Sequence, residues 1–549
     1  MVVCSTVLAG CSSRQEGTGS TAPSESTASS ESTAQPKVQR LVFATIAPTV
    51  ESNETRHIGL AMWHLKPMYE YLIGINAENG QMIPQLATSW SLEPDGTSFR
   101  FKLRAGVPFH KNYGDFTSKD LVNPWREVIR EDTQAGTAPY WRQVLQDIET
   151  VSPGEAVYRL KRPDGSFLYS LSYGRAAMEL YSSAHFAAAG PPVNFEAGPL
   201  SGTGPYQFQA RQPASFIRYE RVPYKHWQST PDFAEFEFRF MKEPSTRLAG
   251  LLAGEVHMAD LPQDLRVQAK QRGDKGISAK VSALRTWMSH LCCYLNEPTN
   301  PAKGWLYPDS PLMDTRVRRA LSKAINREEL NKAFFQGEAK PMVLPHFSPS
   351  RDGWNPDWER RLQEEYGYDP VAAKRLLAEV GYGSDRPLTT HIQVQSATGY
   401  AGAEDMAEAI ASMWRAVGVN VILLTADRAE FDRLTRAFKW DNHTLINGSG
   451  SEQWTGSTVF GSTQGGRWNG VQLPKVDGLL ARIGATLNEK EQDRLWREVG
   501  EEVFTSHKEI PLFWLPIEII VDPKIVGGWV FPGSLTGSWT HVENIKAAR

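Results

Sequence analysis

Between Asp369 and Asp427 the sequence alternates helix and strand signals, and this succession restricts the fold more than any other feature. Asp369 and Pro370 open a helix that Gly381 ends, and LTTHIQVQS then alternates as a strand. Residues 403–417 carry a helical period ended by Gly418, and VNVILLTAD reads as a buried strand. Strands joined through a helix of this length lie parallel, with the helix folded back over the sheet. Part of the chain is therefore expected to be a mainly parallel sheet under covering helices, and the whole to be α/β.

Other segments extend this reading. QRLVFATIAP (39–48) is an apolar strand, and SFRFKLRAGV (98–107) sets Phe99, Phe101 and Leu103 on one face of another. Thr117 with Asp120, Asn326 with Glu329 and Asn488 with Glu491 each have the spacing of a helix cap, and Gly337 marks a stop. EIPLFWLPIEIIVD (509–522) is expected to be one further apolar strand. The basic cluster Arg316, Arg318, Arg319, Lys323 and Arg327 alternates with Val317, Ala320, Leu321, Ala324 and Ile325 at helical spacing. That pattern predicts an amphipathic helix whose charged back faces solvent, not a nucleic-acid surface.

At 549 residues the chain exceeds what one core serves, so two or three domains are expected. A net charge of −3 supplies no basic field for nucleic acid, and no apolar run is long enough to span a membrane as a helix. There is no HExxH, no GxSxG and no P-loop, so no enzyme is expected, and no cofactor or metal. His57 and His64 lie two helical turns apart without a third ligand. Adjacent Cys292 and Cys293 are expected to be buried small hydrophobes, with a vicinal disulfide as the alternative. The 17 Trp are about double ordinary usage and offer flat surface for packing or ligand stacking.

The N-terminus reads as an address. Leu8, Ala9, Gly10 and Cys11 resemble the bacterial lipobox, which implies lipidation of Cys11. MVVCSTVLAG has no Lys or Arg, so residues 1–10 are expected to be a truncated signal remnant. Residues 12–36 are nearly all Ser, Thr, Gly, Ala, Pro, Glu and Gln, a flexible linker with a root-mean-square span of roughly 25–30 Å.

The stretch MIPQLATSWSLEPDGTSFRFKLRAGVPFHKNYGDFTSKDL (82–121) carries the most specific pattern: Pro84, Leu86, Ala87 and Trp90, then an Asp95-Gly96 turn, then Leu103, Arg104, Gly106, Val107, Phe109, His110, Phe116, Thr117 and Asp120. It closely resembles the family 5 extracellular solute-binding proteins, the peptide, dipeptide and nickel receptors of bacterial ABC importers. MYEYLIG (68–74), GTGPY (202–206) and DTRVRRALSKAINRE (314–328) agree with the family in the same order. The resemblance implies a two-lobed periplasmic-binding-protein fold of cluster C type with an extra small subdomain. By that reading residues 1–10 are signal remnant and 11–36 lipidated cysteine and linker. The first lobe is 37–75 with 195–283 and 506–549, its small subdomain 76–194, and the second lobe 284–505. It further implies an extracytoplasmic monomer, lipid-anchored, that captures solute between hinged lobes and serves permease and ATPase subunits, with no nucleic-acid partner.

The resemblance also suggests where ligand sits. Peptide receptors of this kind often place an aspartate against the peptide's α-amino group; here an ungapped placement puts Ser449 at that position, with Glu452 the nearest acid. Asn53, Trp63, Trp287, Tyr294, Asn296, Trp454, Arg467 and Trp468 complete the expected ligand-binding set. Lys111 to Asp115 replace the family's Asp-Gly after Phe-His, while His110 is expected to serve the fold. Oligopeptide is the leading ligand class, oligosaccharide or glycoside the second because of Ser449 and the tryptophans, and a metal chelate the third. An extracytoplasmic hydrolase and a sensory receptor are the rivals from other classes.

Overall fold

The computed structural model describes residues 36–48, 51–54, 63–133, 135, 137–165, 167–172, 178–190, 193–280, 285–297, 300–349, 353–395, 403–426, 428–449, 470–486, 488–532 and 540–549. Three sheets organise them. The first has seven strands in the order Lys275–Ser278, Glu518–Val521, Met258–Ala259, Arg40–Thr45, Glu235–Phe240, Phe216–Arg221, Tyr206–Gln212. The expected strand in QRLVFATIAP lies at its centre, parallel to both neighbours, with Leu41 and Phe43 buried against Phe236, Phe238 and Ile519.

The second sheet has six strands, in the order Lys340–Pro341, Glu509–Trp514, Arg285–Leu291, His443–Ser449, Thr389–Gln395, Asn420–Ala426. Its last three strands run parallel, as the helix–strand succession predicts, but the other pairings are antiparallel, so the sheet is mixed. Helices Pro370–Glu379 and Ala403–Ala416 share one core with this sheet, Met406, Ile410 and Trp414 meeting Met288, Ile392 and Ile446. Asn420–Ala426 is not the buried strand expected of VNVILLTAD. It is the sheet edge, and Ile422 and Leu424, on the same face, are 41% and 37% exposed.

The third sheet is small and antiparallel, in the order Ala87–Leu92, Ser98–Leu103, Glu155–Leu160, Leu145–Ser152. Asp95 builds its first turn by accepting from Thr97 N at 2.9 Å and Ser98 N at 2.8 Å, while Gly96 takes φ 71°. The Ser98 hydroxyl, donating to the same carboxyl at 2.6 Å, and then these backbone bonds hold Asp95 below its ordinary pKa. Thr117 and Asp120 form the expected capping box, which leads into helix Val122–Val128. The sheet is tied to the first by His110, whose Nε2 lies 2.8 Å from Gly204 O and whose own N donates to Gly202 O. GTGPY needs its glycines for close approach: a Cβ on Gly202 would sit 2.0 Å from Met68 O.

The chain passes between the two large sheets twice, side by side. Lys275–Ser278 pairs with Glu518–Val521 in the first sheet, and their continuations Arg285–Leu291 and Glu509–Trp514 pair in the second. EIPLFWLPIEIIVD is therefore two strands in two sheets, broken at Leu515–Pro516–Ile517, where Pro516 has no N–H to give a ladder. Glu509–Trp514 thus goes with the second sheet and Glu518–Val521 with the first, the change of sheet falling downstream of the expected boundary at 505/506. Below, Arg285–Leu291 is the inbound strand and Glu509–Trp514 the outbound strand.

Two further expectations change. The basic segment forms helices Thr315–Lys323 and Arg327–Phe335, but its charged back is only partly solvated. Arg318 is 4% exposed and donates to Leu312 O, Met313 O and, through two nitrogens, Ser506 O; Arg327 donates to Pro511 O and Tyr366 O. Buried backbone acceptors without ladder partners draw these guanidinium groups inward. Cys292 and Cys293, both buried, are joined as a vicinal disulfide rather than standing as two free thiols.

Candidate functional site

The inbound strand begins where the chain crosses into the second lobe, and strand alternation gives it two different faces. Met288 points into the helix-covered core, so Arg285, Trp287 and Ser289 share the opposite face. Register adds Ser449 opposite Arg285, Asn447 opposite Trp287, and from the outbound strand Trp514 opposite Arg285 and Glu509 opposite Ser289. His346, at φ 68°, stands over this face with its ring edge-on to Trp287, centroids 5.2 Å apart. The result is an aromatic and charged floor at the crossing.

Its polar groups interlock. Arg285 Nη2 donates to His346 Nδ1 at 2.8 Å, and the guanidinium lies 5.1 Å from the Trp287 ring and 5.6 Å from that of Trp514. Because Nδ1 accepts, the imidazole proton sits on Nε2, which faces Glu509 Oε1 at 3.9 Å. Trp287 Nε1 and Asn447 Nδ2 each donate to Ser289 Oγ at 3.0 Å, and Ser289 Oγ donates to Glu509 Oε1 at 3.5 Å. Glu509 Oε2 has no hydrogen-bond partner among the described residues.

Burial dominates the electrostatics. It holds His346 well below its ordinary pKa, with Arg285 and Lys508 adding to the effect. It pushes Glu509 up against the pull of Lys508 and Arg285, and Lys508 down against the pull of Glu509. Lys508 donates to Val471 O at 2.8 Å. Ser289 is a hub rather than a nucleophile, since two N–H donors occupy its lone pairs and its own proton is directed to a carboxylate.

The remaining expected residues are dispersed. Trp63, in the first lobe, stands edge-on to Phe238 at 4.9 Å and Phe240 at 6.5 Å. Asn53 is buried and donates to Phe195 O at 2.8 Å, leaving its Oδ1 without a partner among the described residues. Tyr294 is fully buried in a small core with Leu291, Phe431, Trp440 and Leu445, its ring edge-on to Phe438. Asn296 is exposed and bonds Lys303 O at 2.8 Å. Glu452, Trp454, Arg467 and Trp468 lie outside the described residues, as do Cys11 and His57.

Residues 449 and 470 both meet the inbound strand. Ser449 pairs with Arg285, and Gly470 lies so close to the inbound strand that a Cβ there would be 2.1 Å from His290 O. Arg285, His346, Asn447, Glu509 and Trp514 were not anticipated from the sequence. A lone arginine heading an apolar strand and the Lys508-Glu509 pair before another were the available signals. Among the described residues, no group of three or more His, Cys, Asp or Glu is placed to hold a metal ion.

Comparison with known proteins gives this geometry a context. The chain is 26% identical over 506 residues to the dipeptide-binding protein of Escherichia coli (strain K12), covering 84% of this chain and 86% of that one. Its structure matches the ABC transporter substrate binding protein CtaP from Listeria monocytogenes with a TM-score of 0.76 at 16% identity, covering 93% of this chain and 99% of that one. It also matches the periplasmic binding protein DppA from Helicobacter pylori in complex with the peptide STSA, TM-score 0.68 at 20% identity, covering 93% and 98%. The fold is thus the two-lobed α/β fold expected. The model of the bacterial extracellular solute-binding proteins, family 5, matches residues 81–468, and with two sheets joined by a double crossing and a polar, aromatic floor beside it, this chain belongs to that family.

Proposed function

We propose that this protein is the extracytoplasmic receptor of an ABC importer for solutes of the oligopeptide class, and that it is not an enzyme. One observation carries the reading: in a member of a solute-binding family, the crossing between lobes presents Arg285 between Trp287 and Trp514, with Glu509 behind them. A peptide offers both charges such a floor answers, a carboxylate for the arginine fork and an ammonium for Glu509 or Glu452. Its backbone can be held in extended form by main-chain hydrogen bonds. Trp63 and Asn53 of the first lobe, and Trp454, Arg467 and Trp468, are assigned to the same ligand-binding set.

The working units are a first lobe of 37–75, 195–283 and 516–549, its subdomain 76–194, and a second lobe of 284–515. Ligand touching both lobes biases the closed state by its differential affinity, and the permease reads that state. Lipidated Cys11 and the 12–36 leash keep the monomeric receptor at the membrane. No helix among the described residues is long and apolar enough to cross one.

An oligosaccharide is the second reading, favoured by Ser449 at the position of the peptide receptors' aspartate and by the tryptophan surfaces. Thermal unfolding of the purified protein with a di- to pentapeptide library and with a sugar library separates the two. Stabilisation by peptides is expected. Stabilisation by sugars alone would replace the peptide reading.

A further inference from the structure

The small subdomain and the second lobe touch at a point far along the chain from the crossing. Gly165, in the turn that follows strand Glu155–Leu160, lies against the elbow between helices Pro474–Ala485 and Glu489–Ser506. A Cβ placed on Gly165 would be 2.2 Å from Gln492 Nε2 and 3.2 Å from Ile483 O. The Gln492 side chain can yield to an added methyl only by giving up a bond. Its Nε2 donates to Thr486 O at 2.7 Å, and its backbone N donates to Asn488 O at 2.8 Å.

The glycine is needed for this approach and not for its own backbone, since its φ is not in the left-handed region. In sequence, RPDG reads only as a turn; the constraint comes from the other lobe. The second lobe is joined covalently to the rest only through residues 279–284 and 515–517. A rotation about that double crossing that parts the small subdomain from the second lobe opens the Gly165 contact. We propose that Gly165 and the Ile483–Gln492 elbow form a closure latch, a shape-limited contact away from the ligand floor that sets how long the closed receptor persists. Gly165 is thus a positioning residue for capture. This rests on the receptor reading above, and the tests are chosen so that the two can fail separately.

A latch has a size limit, so an added methyl should weaken closure while leaving each lobe intact. The Gly165→Ala variant should release bound tri-alanine at least about fivefold faster, with its association rate and ligand-free melting temperature unchanged. The same substitution in a Gln492→Ala background should have little further effect, because the nearest clashing atoms are gone and only Ile483 O at 3.2 Å remains. Independently of any ligand, the Gly165→Cys/Gln492→Cys pair should form an interlobe disulfide under copper-phenanthroline. It should form faster than the pair Val151→Cys/Gln492→Cys, which uses an exposed site on the same subdomain. Equal cross-linking rates for the two pairs would overturn the contact. A formed cross-link with an unchanged release rate in Gly165→Ala would overturn its role as a latch. If tri-alanine binds neither the parent nor the variant, the ligand assignment falls, and the cross-linking rate decides the latch by itself.

Discussion

Replacing Arg318 with methionine tests how the second lobe is held together. The arginine is buried and donates to three backbone carbonyls, those of Leu312, Met313 and Ser506, the last through both Nε and Nη2. Ser506 is the final residue of the long helix Glu489–Ser506, so the guanidinium caps a C-terminus whose carbonyls lack intrahelical donors and carry the negative end of the helix dipole. Burial brings its pKa down only to about 10, against Asp314 and Tyr366, so it stays charged near neutrality. Methionine keeps most of the apolar stem and removes every donor. Leaving a buried acceptor unsatisfied costs about 1–3 kcal/mol, and three at the lower end of that range give about 3 kcal/mol. For a lobe of this size that is a fall of about 10 °C in melting temperature, measured by calorimetry. Arg316→Met, two residues earlier, is the control. Its side chain is 51% exposed and paired with Asp314 at the surface, and its loss should leave the transition unmoved within error. A fall of less than about 2 °C for Arg318→Met would refute the capping argument.

Other perturbations have equally definite outcomes. Gly202→Ala forces a Cβ to 2.0 Å from Met68 O, a backbone atom that cannot step aside, and should cost about 3 kcal/mol in urea unfolding. His110 is held down to about 4 by burial. An unfolded histidine titrates near 6.5, so its contribution is complete above that pH and is lost as pH falls toward 4, amounting to about 3 kcal/mol. His110→Gln can keep the bond to Gly204 O and should make the acid limb of the stability curve shallower by up to one proton; an unchanged limb would exclude His110 as its source. Cys11→Ala should move the protein from the membrane fraction to the soluble one, and unchanged retention would defeat the lipid anchor.

Local signals carried much of the fold. Phe99, Phe101 and Leu103 alternate into a strand, Thr117 and Asp120 close a capping box, and Gly418 ends a helix at φ 92°, all within a few residues of the sequence that dictates them. What was not legible depends on distant chain. EIPLFWLPIEIIVD is uniformly apolar, and only its partners, the inbound strand and Lys275–Ser278, assign its halves to different sheets. VNVILLTAD is as apolar as a central strand yet lies at an edge, because position in a sheet is decided by strand order. Arg318 and Arg327 follow a helical period that predicts solvent, but unpaired carbonyls 5 to 188 residues away draw them inward. At the site, Trp287 was legible as an aromatic near the crossing. Its companions His346 and Glu509 come from segments 59 and 222 residues further on and meet it only through sheet register and a left-handed turn.

The central claim is that a peptide is held between the lobes at the Arg285–Trp287 floor. Native mass spectrometry of the protein purified without denaturation, followed by identification of whatever unfolding releases, tests it most directly. A one-to-one complex that yields peptides is expected, and a Trp287→Ala variant that folds but carries little or none. Release of sugars, or peptides retained undiminished by Trp287→Ala, would contradict it.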